Sequence, residues 1–206
     1  MSDVSPKRTW PAILLALFLL ETLLLGLHPY SRTVWLAEGL TAWIPALLLI
    51  VLYRRGLRFS NLTYPCVALW FFLHTIGGHY TFERVPMQWL GDMLGWQRNH
   101  FDRICHFLVG TMACPLLEYL SIRQRVRGRL TAAVLVVLSI FGVAAIFELV
   151  EWQYAVWSDP EAGAAFLGSQ GDIWDAQKDM LADGLGAMTF SLIYLLSKKN
   201  AFPPTD

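Results

Sequence analysis

GSQGDIWDAQKDMLADGLGA, Gly168 to Ala187, carries aspartates at 172, 175, 179 and 183 and runs directly into the apolar stretch Met188 to Leu196. Successive steps of three, four and four residues, at about 100° each, put the four carboxylates on one stripe of a helix roughly 16 Å long. A stripe of acids at the head of a segment apolar enough to cross a bilayer is expensive. Carboxylates at that depth face a protein interior, a water-filled cavity or a bound cation, so the stripe predicts a bundle whose other helices supply its partners.

The remaining sequence supplies such helices. Of 206 residues, 55% are apolar and only 16% charged, a balance that excludes an ordinary soluble domain. Apolar runs predict spans over 11–27, 34–53, 62–79, 101–120, 130–152 and 174–196. An interfacial amphipathic helix is expected over 83–97, built on Trp89, Leu90, Met93, Leu94 and Trp96. The first run contains Glu21 and lacks a small-residue cleavage site, so it reads as a span and not as a secretory signal. The expected fold class is all-α: a polytopic membrane helix bundle of six transmembrane helices in a single integral-membrane domain, residues 1–206.

Basic residues orient the bundle. Lys7, Arg8, Arg54, Arg55, Arg58, Arg123, Arg125, Arg127, Arg129, Lys198 and Lys199 fall on one side, eleven of the sixteen Lys and Arg. Arg32, Arg84, Arg98, Arg103 and Lys178 fall on the other. The positive-inside rule then puts both termini in the cytoplasm of a bacterial inner (plasma) membrane. A formal net charge of zero and the lack of a basic groove exclude nucleic acid as a partner. Cys66, Cys105 and Cys114 have no CxxC spacing and read as packing residues.

With this orientation the intramembrane polar residues converge on one leaflet. His74 and His79 end the third span, Asp102 and His106 share a face at the start of the fourth, Glu148 and Glu151 end the fifth, and the aspartates open the sixth. Imidazole and carboxylate together suit a divalent metal: zinc first, with manganese or iron as alternates. The expected ligands are His74, His79, His106, Asp175, Asp179 and Asp183. The expected catalytic acids and bases are Glu148, Glu151 and Asp102, with Glu148 as general base. The bilayer is the expected surroundings, and a lipid or lipid-linked envelope precursor the expected substrate of a metal-dependent hydrolase. An ion- or proton-coupled transporter using the same acids and histidines is the alternative.

The blocks HTIGGHYTF at 74–82, NHFDRICHFLVG at 99–110, FELVEW at 147–152 and GSQGDIWDAQKDMLADGLGA at 168–187 resemble those of the YjdF-like family of bacterial inner-membrane proteins, a domain of unknown function. The resemblance implies a polytopic inner-membrane protein and brings no activity with it. The last block is also distantly similar to the acidic segment of VanZ-like membrane proteins, implicated in glycopeptide resistance, and no residue role is carried over from them.

Overall fold

The computed structural model describes residues 9–202, which form helices and, among the described residues, no strands. In chain order the helices are α1 (Trp10–Leu27), α2 (Arg32–Arg54), α3 (Thr63–Tyr80), α4 (Gln88–Leu94), α5 (Phe101–Val109), α6 (Ala113–Ile122), α7 (Arg129–Trp157), α8 (Pro160–Leu167) and α9 (Asp175–Ser197). Lys7 and Arg8, used above to orient the chain, lie outside the described residues. Among the described residues five stretches are long and apolar enough to cross a membrane: α1, α2, the α5–α6 stretch Phe101–Ile122, α7 and α9. At 18 residues α3 matches α1 in length, but Tyr64, Pro65, His74 and His79 dilute its apolar character. Leu20 and Leu24 of α1, Leu40 and Ile44 of α2, Leu138 and Ile146 of α7, and Leu185 and Leu192 of α9 stay exposed. An apolar surface of this extent on four long helices is a lipid-facing one.

Two helices organise the packing. α9 lies against α7, α5 and α6, and α3 lies against α1, α2 and α5. Hydrocarbon tails are as apolar as leucine, so the seams depend on close fit, and small residues supply it. Ala113, Cys114, Ala132 and Ala187 are fully buried around α9. The closest approach is between backbones: a Cβ on Gly110 would overlap the chain at Gly186, and one on Gly186 would overlap the Phe107 carbonyl. Gly78 of α3 likewise leaves room for Glu38 and Trp35 of α2.

Several expected boundaries shift, each for a local reason. The fourth span is broken by a 3-10 turn, Gly110–Met112. Pro115, three residues beyond that turn, has no N–H to give the Thr111 carbonyl, so the regular ladder lapses there. α7 continues five residues past the expected end at 152 because α8 folds back on it: Tyr154 stacks on Phe166 at 4.3 Å, and Gly163 seats against Ala155. α8 itself has the sequence signals of a helix, with Pro160 in its first turn and Gly168 left-handed at its end. The Asp159 carboxylate caps it, accepting from the Glu161 and Ala162 N–H groups. The amphipathic helix covers 88–94 instead of 83–97, closed by the left-handed Gly95.

The helix ends segregate by charge. Pro11, Tyr53, Arg58, Tyr64 and Lys198 border one pocket, so the start of α1, the loop between α2 and α3, and the end of α9 share an end of the bundle. At the other end the Tyr30 N–H donates to the His79 carbonyl at 2.9 Å, and the loops 83–100 and 168–172 meet. That second end is where the acids collect.

Candidate functional site

The aspartate stripe is three residues long and not four. α9 begins at Asp175, and Asp175, Asp179 and Asp183, one helical turn apart, are all buried on its inner face. Asp172 lies ahead of the helix, accepts from the Trp174 N–H at 3.1 Å and pairs with Lys178 Nζ at 2.6 Å. Those two donors, the lysine first, hold its carboxyl below the usual aspartate range. Asp172 therefore stands at the water boundary ahead of α9, held by the Trp174 N–H, Lys178 and, at 3.5 Å, Arg98.

α5 supplies the facing side chains. Asp102, Arg103 and His106 sit within little more than one turn, and each meets the α9 stripe at a different height. Arg103 reaches two aspartates at once: its Nη2 donates to Asp175 and its Nε lies 2.6 Å from Asp179 Oδ1. Arg98, in the loop before α5, adds a second guanidinium to Asp175 at 2.6 Å and also donates to the Ser169 and Gly168 carbonyls. Deeper in, His106 Nδ1 is 3.0 Å from Asp183 Oδ2, while its Nε2 points to Asp102 at 3.7 Å. A carboxylate only accepts, so Nδ1 carries a proton and Nε2 is the nitrogen turned toward Asp102.

Asp102, His106 and Asp179 each offer a ligand atom within 4.8 Å of the other two. Asp183 stands behind the histidine, in the position from which a carboxylate orients a metal-bound imidazole. Asp183 Oδ1 and Glu148 Oε1 are buried with no hydrogen-bond partner among the described residues, a costly condition for a carboxylate oxygen unless a cation or a proton meets it.

A cavity of about 200 Å³ opens beside this group, lined by Asp102, His106, Glu151 and Asp183 on one side and by Glu38 and His74 on the other. Glu38, two turns into α2, is a member that the sequence expectation leaves out. His74 Nε2 lies 3.1 Å from the Glu38 carbonyl, 3.4 Å from its carboxylate and 2.6 Å from Thr41 Oγ1. An acid inside an apolar run is itself the signal for Glu38, the same signal that picks out Asp179. Pro45 on the same wall leaves the Thr41 carbonyl without its helical N–H partner.

The expected ligands thus separate. His106, Asp179 and Asp183 come together with Asp102, which was expected as an acid or base. Asp175 is taken up by two arginines. His79 donates to the Leu25 carbonyl at 2.7 Å and ties α3 to the end of α1. Glu151 lines the cavity, whereas Glu148 lies in electrostatic range of His106 and Asp179 from the next turn of α7. Trp96, expected in the interfacial helix, packs edge-on against His100 and borders a separate polar pocket of about 210 Å³. Burial and the charges of Arg98 and Arg103 hold the His100 imidazole below its ordinary value.

Between residues 10 and 200 the chain matches the family described as Predicted membrane protein (DUF2238). It belongs to that family. The DUF2238 match takes in all the helices that carry the acid cluster. The chain is also 33% identical over 186 residues to the Inner membrane protein YjdF of Escherichia coli (strain K12), covering 89% of this chain and 86% of that protein. No solved structure matches the chain. As a DUF2238 protein it is a multi-pass membrane protein, in keeping with the five long apolar stretches among its described residues.

Proposed function

We propose that this protein is an integral-membrane metalloenzyme in which a divalent cation, zinc before manganese or iron, is held by Asp102, His106 and Asp179. The observation that carries the reading is the approach of those three donors to within 4.8 Å, with Asp183 on the far nitrogen of the histidine. Arg103 on Asp179 offsets part of the negative charge, and the unpartnered oxygen of Asp183 leaves a surplus for a cation. A cation there would lower the pKa of a bound water. Glu151, on the cavity wall, is the general base of choice, with Glu148 one turn away. The reaction class is hydrolysis of a lipid or lipid-linked envelope substrate, whose scissile group would enter from the acidic end.

The same reading takes α3 as a sixth span, makes one integral-membrane domain of the chain, and puts both termini in the cytoplasm of the inner membrane, the location that the name of its Escherichia coli relative gives. The acid cluster then faces the periplasm. A proton- or ion-coupled transporter is the second reading. It is favoured by Glu38, Thr41 and His74, which carry the polar lining from α5 and α9 across to α2 and α3.

Elemental analysis of the detergent-purified protein separates the two. About one zinc, manganese or iron per chain in the wild type, lost in Asp179→Asn and His106→Ala, supports the metalloenzyme. Absence of metal after reconstitution with each ion, together with acid-dependent ion flux in vesicles, replaces it with the transporter.

A further inference from the structure

α1 and α2 each pack on α3 but make little contact with each other. Between them lies a groove of about 290 Å³, walled by Leu15 and Phe18 of α1 and by Ala46 and Ile50 of α2, with Val67 and Phe71 of α3 as its floor. From Pro11 to Phe18 it follows α1 for about 10 Å, most of the roughly 15 Å depth of one hydrocarbon leaflet. At its mouth it runs into a second pocket, of about 260 Å³, through the shared residues Pro11, Tyr53 and Tyr64. This second pocket is polar and holds Arg58 and Lys198. The Arg58 guanidinium is set over the Tyr53 ring at 5.2 Å, and Arg54 stands at the edge of the groove.

An apolar slot running through most of a leaflet, ending in cations at the water boundary, has the polarity of a phospholipid. We infer that it binds one phospholipid with an anionic headgroup, an acyl chain lying between α1 and α2 and the phosphate against Arg58 and Lys198. Glu118, the acid in the same pocket, accepts from the Ser60 N–H at 2.8 Å, the Ser60 hydroxyl at 3.0 Å and the Thr63 hydroxyl at 2.5 Å. Three donors on one carboxylate hold Glu118 against the start of α3 and satisfy its oxygens within the protein. A zwitterionic lipid would fill the groove equally well but gain less at the mouth. The site lies at the opposite end of the bundle from the acid cluster and does not depend on its chemistry.

Native mass spectrometry of the full chain in mild detergent tests this, with phosphatidylglycerol and phosphatidylcholine of identical chains as probes. The expected result is one phosphatidylglycerol per chain in preference to phosphatidylcholine. Affinity for it should weaken about fivefold for each charge removed in Arg58→Gln and Lys198→Gln. Ala68→Phe, which fills the groove, should abolish binding of both lipids while the detergent-only melting temperature is retained. Equal binding of the two lipids, unaltered in Arg58→Gln and Lys198→Gln, overturns the site and leaves only ordinary surrounding lipid. Should Ala68→Phe fail to fold, the two charge variants alone decide the matter.

Discussion

Arg103 shows how little freedom the site residues have. Its Nη2 serves Asp175 while its Nε faces Asp179, a division that the forked guanidinium allows and a lysine ammonium does not. The aspartates are therefore not equivalent, although the sequence presents them as a regular series: Asp175 is held by two arginines, Asp179 shares one of these and belongs to the candidate metal group, and Asp183 binds a histidine. At the water boundary His100 gives this scale its pH signature. Its folded-state pKa is depressed from 6.5 by burial first and then by Arg98 and Arg103. A depressed histidine contributes stability fully above its ordinary value and loses it as the pH falls, because the unfolded chain takes up the proton first. Thermal melts in detergent should therefore show wild-type stability falling from about pH 6.5 downward, with His100→Asn removing part of that slope. Superimposable pH profiles would show that His100 contributes none of it.

Among the elements, the seam between α5 and α9 sets the geometry of the cluster, and two glycines set the seam. Because the backbone at Gly110 lies on Gly186, the α5 side chains one to two turns away are brought onto the aspartate face. Gly186→Ala should cost about 1–3 kcal/mol by overpacking and, by wedging the helices apart, reduce whatever metal the wild type retains. Gly142→Ala in α7 is the control, because a Cβ there meets nothing within 4 Å. It should stabilise the helix by about 0.5–1 kcal/mol. Melting temperatures that moved together would remove the seam as the cause. The spacing of Gly184, Gly186 and Ala187 makes a close helix approach legible in the sequence, but not the partner: α7 takes Gly184 and α5 takes Gly186. α8 was not among the expected elements although it has an Asp-Pro start and a Gly end, because eight residues between two spans give hydrophobic periodicity too little length to register.

For the molecule as a whole, the asymmetry of basic and acidic ends predicts a sidedness that labelling can check. With the three native cysteines replaced, cysteine introduced at the exposed Trp89 should react with an impermeant reagent added to intact spheroplasts. Cysteine introduced at the exposed Arg123 should react only after lysis. Labelling of both from the same side would contradict the six-span arrangement. The sequence by itself determined the class of the protein, the position of its long apolar helices and the helix ends at which the acids collect. These follow from local quantities, the length of an apolar run and the cost of a charge within it, which need no knowledge of neighbours. Only the tertiary structure decided which of those residues meet. Pairing depends on how helices far apart in sequence are rotated and staggered against each other. Gly110 on Gly186 fixes that for α5 and α9, and so gives His106 to Asp183 and Arg103 to Asp175; Gly78 against Glu38 does the same for α3 and α2, where Glu38 shares a cavity with His74.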